Sequence, residues 1–236
     1  SALLDKILDT AGQKGTGKWT GISALHAGVP LTLIVESVFA RSVSSQKEER
    51  VAASKVFDFN PSDPVADRKD FIEALRSALY AAKIISYAQG FSLIKTAGEE
   101  NKWNLNLGGI ALLWRGGCII RSAFLDKISQ AFTADPALKN LILDPYFSRI
   151  LTQTQQQLRE VVAAAALNGI PTPSLGAALS WFDSYRTENL PANLLQAQRD
   201  YFGAHTYERV DSPRGQFFHT NWTGRGGNTA STTYSI

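Results

Sequence analysis

The stretch DRKDFIEALRSALYAAKIISYAQGFSLIKT, residues 67–96, decides the fold of this chain. Its apolar residues recur at every third or fourth position, which is the period of one face of an α-helix. The pattern predicts one long helix whose buried stripe consists of Phe71, Leu75, Ala78, Leu79, Ala82 and Ile85. The same period recurs along most of the chain and alternating strand patterns are scarce, so we predict an all-α, multi-helix fold.

Further helices are predicted on both sides of this stretch. They cover residues 3–12, about 30–44, a segment from about 108, and residues 174–185 and 191–201. Asp135-Pro136 and Asp144-Pro145 each place a capping carboxylate before a proline, which suits the first turn of a helix. The first pair predicts a short helix, and the second predicts a long one that ends at residues 168–169.

The composition changes at Asp211, beyond which Gly, Thr, Asn and Ser dominate and no helical period survives. We therefore predict a helical domain over residues 1–210 and an irregular C-terminal tail over residues 211–236. A tail of this kind either docks on a partner or stays mobile. Residues 58–67 contain two prolines and are predicted to form a loop.

The overall composition describes a folded protein. Of the 236 residues, 44% are hydrophobic and 19% are charged, which fits neither a disordered nor a collagen-like chain. The net charge of +3 does not by itself argue for nucleic acid, but a local cluster of bases is enough to bind a small anion. No apolar run reaches the roughly 20 residues that span a bilayer.

The single cysteine, Cys118, excludes an intrachain disulfide, and no cluster of Cys and His offers a zinc site. We therefore expect a reducing compartment and no metal. The N-terminal sequence SALLDK is not a signal peptide, and the chain contains no Met. From this beginning we expect a fragment or a processed chain.

The segment GQKGTGKW, residues 12–19, fits the first seven positions of the P-loop pattern G-x-x-x-x-G-K. The eighth position needs a hydroxyl for magnesium, and here it is Trp19. A P-loop also follows a buried strand, whereas residues 7–11 have a helical pattern. Two interpretations remain open. In one, backbone N–H groups, a hydroxyl and two lysines bind a phosphate; in the other, the segment is a helix-to-helix turn with exposed lysines.

Three further residues are candidate anion ligands, each with a structural alternative. Arg41 lies late in a predicted helix, where arginine is commonly solvated or salt-bridged. Arg199 and His205 flank the end of another helix with Gly203 as its predicted C-cap, and helix ends favour cations whatever the function. His219 is predicted to anchor the tail. The sequence shows no convincing acid–base pair, nucleophile constellation or dinucleotide fingerprint.

Six segments, taken together and in order, resemble the 6-phosphogluconate dehydrogenase family of decarboxylating, NADP-dependent enzymes of the pentose phosphate pathway. They are GQKGTGKW (12–19), ESVFAR (36–41), KIISYAQG (83–90), WRGGCIIRS (114–122), QRDYFGAHTY (198–207) and HTNWTG (219–224). The likeness runs essentially from end to end of the chain.

The resemblance implies the all-helical C-terminal substrate domain of a cytoplasmic homodimer, with the tail reaching into the neighbouring subunit. It implies that Lys14, Thr16 and Arg41 bind the phosphate of 6-phosphogluconate. It also implies that Arg199 and His205 are contributed to the active site of the neighbouring subunit. Neither nucleic acid nor a membrane is an expected partner.

Full-length members of the family begin with a Rossmann domain that binds NADP, followed by a helix with a catalytic lysine and a catalytic glutamate. Together they convert 6-phosphogluconate to ribulose 5-phosphate and CO2. The resemblance implies that this chain starts after these parts, so we expect no catalytic residue in it and no turnover by the chain alone. It leaves the residues that contact the cofactor unknown. The missing helices are expected to leave an apolar patch, which favours dimerisation or aggregation.

Two other functions stay open on the sequence. One is a non-catalytic helical binding or structural module that reuses the same scaffold, which would keep its function without Arg41 and Arg199. The other is a P-loop-like nucleotide binder, which would show magnesium-dependent ATP binding.

Overall fold

The computed structural model describes residues 2–61 and 67–224. Within them the chain forms nine α-helices, two short 3-10 helices and one antiparallel pair of two-residue strands. The helices are α1 (Thr16–His26), α2 (Thr32–Ser45), α3 (Lys47–Ser54), α4 (Arg68–Glu100), α5 (Leu107–Leu113), α6 (Leu125–Ala134), α7 (Pro145–Leu167), α8 (Pro173–Arg186) and α9 (Ala192–Gly203). The strands are β1 (Tyr207–Glu208) and β2 (Phe217–Phe218). This architecture confirms the predicted all-α class.

The chain divides into two compact units, the first ending at Asp183 and the second beginning at Ser184. In the first unit α4 packs chiefly against α7, α5 against α6, and α1 against α2. One main core joins α4 to α6, α7 and α8, and its fully buried side chains include Phe91, Ile128 and Phe147.

A smaller apolar cluster holds the first two helices in place. It consists of Ala24 on α1, Leu31 just before α2, and Leu93 on α4, each no more than 9% exposed. Gln89 of α4 is also buried; its side chain accepts a hydrogen bond from the Leu33 N–H at 3.0 Å. Helices α1 and α2 are therefore fixed to the long helix at their connecting turn.

The start of α4 lies where the sequence predicts it. The Asp67 carboxylate caps the helix by accepting hydrogen bonds from the backbone N–H groups of Lys69 at 2.7 Å and Asp70 at 3.0 Å. The helix continues to Glu100, past the predicted end at residue 96.

The predicted buried stripe of α4 is only partly correct. Ala78, Ala82 and Ile85 are buried as predicted, whereas Leu75 and Leu79 are 40% and 65% exposed. Both leucines lie on one flank of the helix, because the buried face is centred further round, on alanines such as Ala81 and Ala88. The prediction placed the stripe toward the side of Leu75 and Leu79, whereas the buried face lies further round and includes Ile84 and Phe91.

The helix predicted over residues 3–12 is wrong. Only Leu3–Lys6 is helical, as a short 3-10 turn, and Leu3 and Leu4 are 76% and 77% exposed. A short helix without a packed apolar face is marginal in water, which accounts for the difference. Conversely, α1, α3 and α6 form where the sequence pattern did not predict them.

Only one of the two Asp-Pro pairs starts a helix. Asp144 Oδ1 accepts hydrogen bonds from the N–H groups of Tyr146 at 2.9 Å and Phe147 at 3.3 Å, and Pro145 is the first residue of α7. The helix ends at Leu167 and is followed by Gly169 with a φ of +63°. Both ends of the long predicted helix are thus confirmed.

The short helix predicted after Asp135 is absent, because the backbone there has other partners. Asp135 accepts a hydrogen bond from the Ala137 N–H at 2.9 Å within a turn. In a regular helix the Leu138 carbonyl would accept a hydrogen bond from the Ile142 N–H. Here the Leu138 carbonyl accepts a hydrogen bond from Lys95 Nζ at 2.9 Å, and the Ile142 N–H donates to Asn140 Oδ1 at 3.1 Å.

Replacing Asp144 by alanine should destabilise the protein by about 1 kcal/mol, since it leaves two N–H groups of α7 without their cap. Urea unfolding followed by circular dichroism measures this change. The matched control is Asp135→Ala, which also removes an aspartate before a proline but uncaps no helix. Equal losses in the two variants would contradict the assignment of Asp144 as the functional cap.

In the second unit α9 leads into a small hairpin, in which β1 and β2 pair Tyr207 with Phe218. The predicted irregular tail is therefore partly ordered, with β2 lying inside it. Its last residues, 225–236, lie outside the described part of the chain, as do residues 62–66 of the predicted loop. Residues 58–61 are non-helical, as predicted. The domain boundary at residue 210 stays a prediction.

Candidate functional site

A glycine-containing loop, residues 12–15, leads into the N-terminus of α1. Gly15 is the N-cap of this helix and has a φ of 100°, a left-handed conformation that favours glycine. Lys14 and Thr16 are exposed on either side of it, and the first turn of α1 contains no acidic residue. The N–H groups of such a first turn attract anions, so the loop combines a cation, a hydroxyl and a helix N-terminus.

Arg41 reaches this loop from the neighbouring helix α2. Its Nη1 atom donates a hydrogen bond to the carbonyl oxygen of Gly12 at 2.6 Å. The three residues of the first unit that were predicted to bind phosphate, Lys14, Thr16 and Arg41, are therefore gathered around one loop. We define them, together with the N-terminus of α1, as the basic loop site.

The spacing between α1 and α2 depends on two glycines. A Cβ atom at Gly17 would lie 2.8 Å from Val38 Cγ2, and one at Gly21 would lie 3.0 Å from Val35 Cγ2. Real Cβ atoms essentially never lie within 3.0 Å of another side chain, so the contact at position 17 requires glycine, and a side chain at position 21 would require Val35 to move by a few tenths of an ångström. The close approach brings the end of α2 that carries Arg41 to the start of α1.

The segment before the loop is held to α2 and α3. The Asp9 carboxylate forms ion pairs with Lys47 at 2.7 Å and with Arg50 at 3.1 Å. The hydrogen bond from Arg50, with a smaller contribution from Lys47, holds the pKa of Asp9 well below its usual range. The Ala11 N–H donates to Ser44 Oγ at 3.0 Å. Both ends of the basic loop site are thus anchored.

The loop does not have the architecture of a P-loop. The residues before it, 7–11, have no regular secondary structure where a P-loop would follow a strand. Trp19, at the position of the magnesium-binding hydroxyl, is 64% exposed on α1, with Lys18 Nζ 5.3 Å from its ring centroid.

A cavity of about 500 Å³ lies beside the N-terminus of α1. Its lining includes Thr16, Tyr87, Phe91, Trp114 and Ile120. The Tyr87 hydroxyl donates a hydrogen bond to the carbonyl of Ile120 and so ties the segment 114–122 to α4. Burial raises the pKa of Tyr87, with a further contribution from the nearby Cys118, so its hydroxyl stays protonated to a higher pH than that of an ordinary tyrosine.

In the second unit, Arg199 lies exposed in the last turns of α9, and its Nη1 atom lies 3.2 Å from Gln196 Oε1. His205 follows the helix in a tight turn. The residue in the left-handed C-cap conformation is Ala204, with a φ of 50°, so the predicted C-cap at Gly203 is wrong. Gly203 instead leaves room for the imidazole, because a Cβ there would lie 2.7 Å from His205 Nε2.

Between these two residues stands a buried carboxylate that the sequence pattern did not indicate. Asp200 is 1% exposed, and its oxygens accept hydrogen bonds from the Thr206 N–H at 3.0 Å, the Thr220 N–H at 2.9 Å and Trp222 Nε1 at 2.8 Å. His219 Nδ1 lies 2.9 Å from Asp200 Oδ1, which confirms His219 as an anchor of the tail.

The Asp200 carboxylate is charged at neutral pH. Burial raises its pKa, but the four hydrogen bonds outweigh burial and bring the pKa below its usual value. No sequence signal identified this residue, because three of its four donors lie nineteen or more positions further along the chain.

Among the described residues, no three His, Cys, Asp or Glu side chains lie together in a group that would hold a metal ion. No helix in the described ranges is both long enough and apolar enough to cross a membrane.

The chain matches the family model described as "6-phosphogluconate dehydrogenase, C-terminal domain" over residues 1–222. It is 62% identical over 234 residues to "6-phosphogluconate dehydrogenase, decarboxylating" of Haemophilus ducreyi, covering 99% of this chain and 48% of the relative. The relative of the same name in Dictyostelium discoideum is 58% identical over 239 residues, covering 99% of this chain and 48% of the relative. The chain thus spans about half the length of the curated relatives it matches.

A solved structure agrees with these relatives. The 6-phosphogluconate dehydrogenase of Plasmodium falciparum, studied in its apo form and in complex with its cofactor NADP+ and with its substrate 6-phosphogluconate, superposes with a TM-score of 0.87. The match is 46% identical in sequence and covers 93% of this chain and 47% of that one. This chain therefore belongs to the family of 6-phosphogluconate dehydrogenase C-terminal domains.

Proposed function

We propose that this chain is the substrate-binding and dimerisation half of an enzyme that oxidatively decarboxylates 6-phosphogluconate to ribulose 5-phosphate and CO2 with reduction of NADP+. The observation that supports this most directly is the contact of Arg41 with Gly12, which places a guanidinium at the loop of Lys14 and Thr16. In this proposal the basic loop site binds the phosphate of the substrate.

The chemistry of the site suits a phosphate monoester, which carries about 1.5 to 2 negative charges at neutral pH. Lys14 and Arg41 supply two positive charges, and Thr16 supplies a hydroxyl and the first turn of a helix. Each charge-assisted hydrogen bond contributes about 1.5–3 kcal/mol. A few such bonds are enough for a specific phosphate clamp, and the guanidinium can hold two phosphate oxygens at once.

The proposal extends to a homodimer. Arg199 is exposed and His205 is half-buried in a defined turn of the second unit, so both side chains have accessible surface that another subunit can approach. We assign both to the phosphate of the neighbouring subunit's substrate, with the tail after residue 210 docking on that subunit. We further assign the enzyme to the cytoplasm and to the pentose phosphate pathway; its single cysteine fits a reducing compartment.

The cofactor belongs to another part of the enzyme. The described residues contain no parallel sheet with a glycine-rich strand-to-helix turn, which is the element that binds the pyrophosphate of NADP in Rossmann domains. We therefore assign nucleotide binding, and the principal acid and base, to a preceding half of the enzyme, in line with the coverage of the relatives.

The test compares the 236-residue chain with the complete enzyme, each supplied with 6-phosphogluconate and NADP+. We expect NADPH and CO2 to form only with the complete enzyme, or when the chain is mixed with the preceding half produced separately. Turnover by the chain alone would contradict the assignment of cofactor binding and of the principal acid and base to the preceding half. A complete enzyme that neither binds nor oxidises 6-phosphogluconate would contradict the proposed function and favour a non-catalytic module on this scaffold.

A further inference from the structure

The buried carboxylate of Asp200 connects two segments that are distant in sequence. One is the turn after α9, through the Thr206 N–H; the other is the segment after β2, through His219, Thr220 and Trp222. A buried charge is stable only when hydrogen bonds replace its water, and these four donors satisfy that need. The turn and the tail segment are therefore fastened to each other at one residue.

The turn that Asp200 fastens is conformationally costly. Ala204 has a φ of 50° and Thr206 a φ of 59°, both in the left-handed region. This region is unfavourable for residues other than glycine, and most of all for a β-branched residue such as threonine. The Thr206 hydroxyl oxygen is also buried, with no hydrogen-bond partner among the described residues. Such a conformation persists only where its surroundings impose it.

His205 lies between these two strained residues, and its imidazole packs over Gly203. Its position is thus set by the same turn that the Asp200 carboxylate holds through the Thr206 N–H. Arg199 directly precedes Asp200 on the last turns of α9. Asp200 itself is enclosed and has its oxygens occupied, so it is not available to a ligand.

We propose that Asp200 is a positioning residue for substrate binding: it locks the strained turn that presents His205, beside Arg199, to the phosphate. This inference rests on the proposed function and adds a residue that does not touch the substrate. The role follows from geometry, because the Asp200 carboxylate accepts hydrogen bonds both from Thr206, the residue after His205, and from Thr220 in the tail segment. A binding site whose side chains are held in place in this way loses affinity for its substrate when the residue that holds them is removed.

The test is steady-state kinetics of the complete enzyme with Asp200→Asn, which keeps the shape of the side chain and removes its charge. The KM for 6-phosphogluconate should rise about tenfold or more while kcat stays within about threefold, because the phosphate is bound but does not react. A merely structural role would lower the fraction of folded enzyme, and so the apparent kcat, without moving KM.

Two companion variants complete the design. Trp222→Phe removes one donor and leaves the carboxylate, and it should raise KM by about two- to tenfold. Asp211→Asn removes an exposed carboxylate of the same unit, which pairs with Arg209, and should leave KM unchanged. Hydrogen exchange of the Trp222 indole N–H, followed by NMR, should be slow in the wild type and fast in Asp200→Asn.

The outcomes separate the two proposals. If the wild type turns over 6-phosphogluconate and Asp200→Asn has the KM of Asp211→Asn, the positioning role is overturned and the proposed function stands. If Asp200→Asn does not fold, an unchanged KM in Trp222→Phe overturns the role instead. If the wild type shows no turnover with 6-phosphogluconate, the proposed function fails, and the positioning role fails with it.

Discussion

Replacing Arg41 by alanine should weaken the binding of 6-phosphogluconate by about ten- to a hundredfold. The variant loses a charge-assisted contact with the phosphate, worth about 1.5–3 kcal/mol, where 1.4 kcal/mol is a factor of ten in affinity. It also loses the 2.6 Å hydrogen bond to Gly12 that orders the loop of Lys14 and Thr16. Calorimetric titration of the complete enzyme with 6-phosphogluconate measures the change directly.

Two variants serve as controls for this result. Arg76→Ala removes an exposed arginine of α4 that pairs with Glu73 on the same helix, and it should leave the affinity unchanged. Arg41→Lys keeps the charge but lacks the planar guanidinium fork, so its affinity should fall between those of the wild type and Arg41→Ala. Wild-type affinity in Arg41→Ala would remove the basic loop site from substrate binding.

The second large effect concerns stability. Replacing Phe147 by alanine should destabilise the first unit by about 3–5 kcal/mol, because its ring is fully buried where α7 meets the main core. The ring packs edge-on against Phe124, with centroids 6.0 Å apart, so the deletion leaves a cavity that its neighbours fill only in part. Urea unfolding of the chain, followed by circular dichroism, gives the free energy of unfolding.

The matched control is Phe57→Ala, which removes the same side chain from a position that is 76% exposed. Its effect should lie within about 0.5 kcal/mol of zero. If the two replacements lower the free energy of unfolding equally, Phe147 does not belong to the core as described.

Sequence predicted the long helices because their signals are local. Asp67 and Asp144 lie within three residues of the N–H groups they cap, and the apolar period of α4 and α7 is visible in the chain itself. Helix α1 was missed for the opposite reason. Its glycines resemble a turn in sequence, and only packing against Val35 and Val38 shows why they lie in a helix.

The same distinction explains what could be predicted of the candidate site. Lys14, Thr16 and Arg41 were proposed from a family resemblance, and the structure places all three at one loop. Asp200 was missed, because its donors come from the next turn and from a strand-flanking segment that only the fold brings near. The exposure of Leu79 likewise depends on which face of α4 the other helices pack against, and a periodic pattern alone does not determine that face.

Because Gly17 contacts Val38, the residue that can be accommodated at position 17 depends on the residue at position 38. Since a Cβ at residue 17 would lie 2.8 Å from the valine, a residue larger than glycine becomes acceptable at position 17 only when the residue at position 38 becomes smaller. Divergence of this site is therefore constrained by a pair of residues that need not touch the ligand.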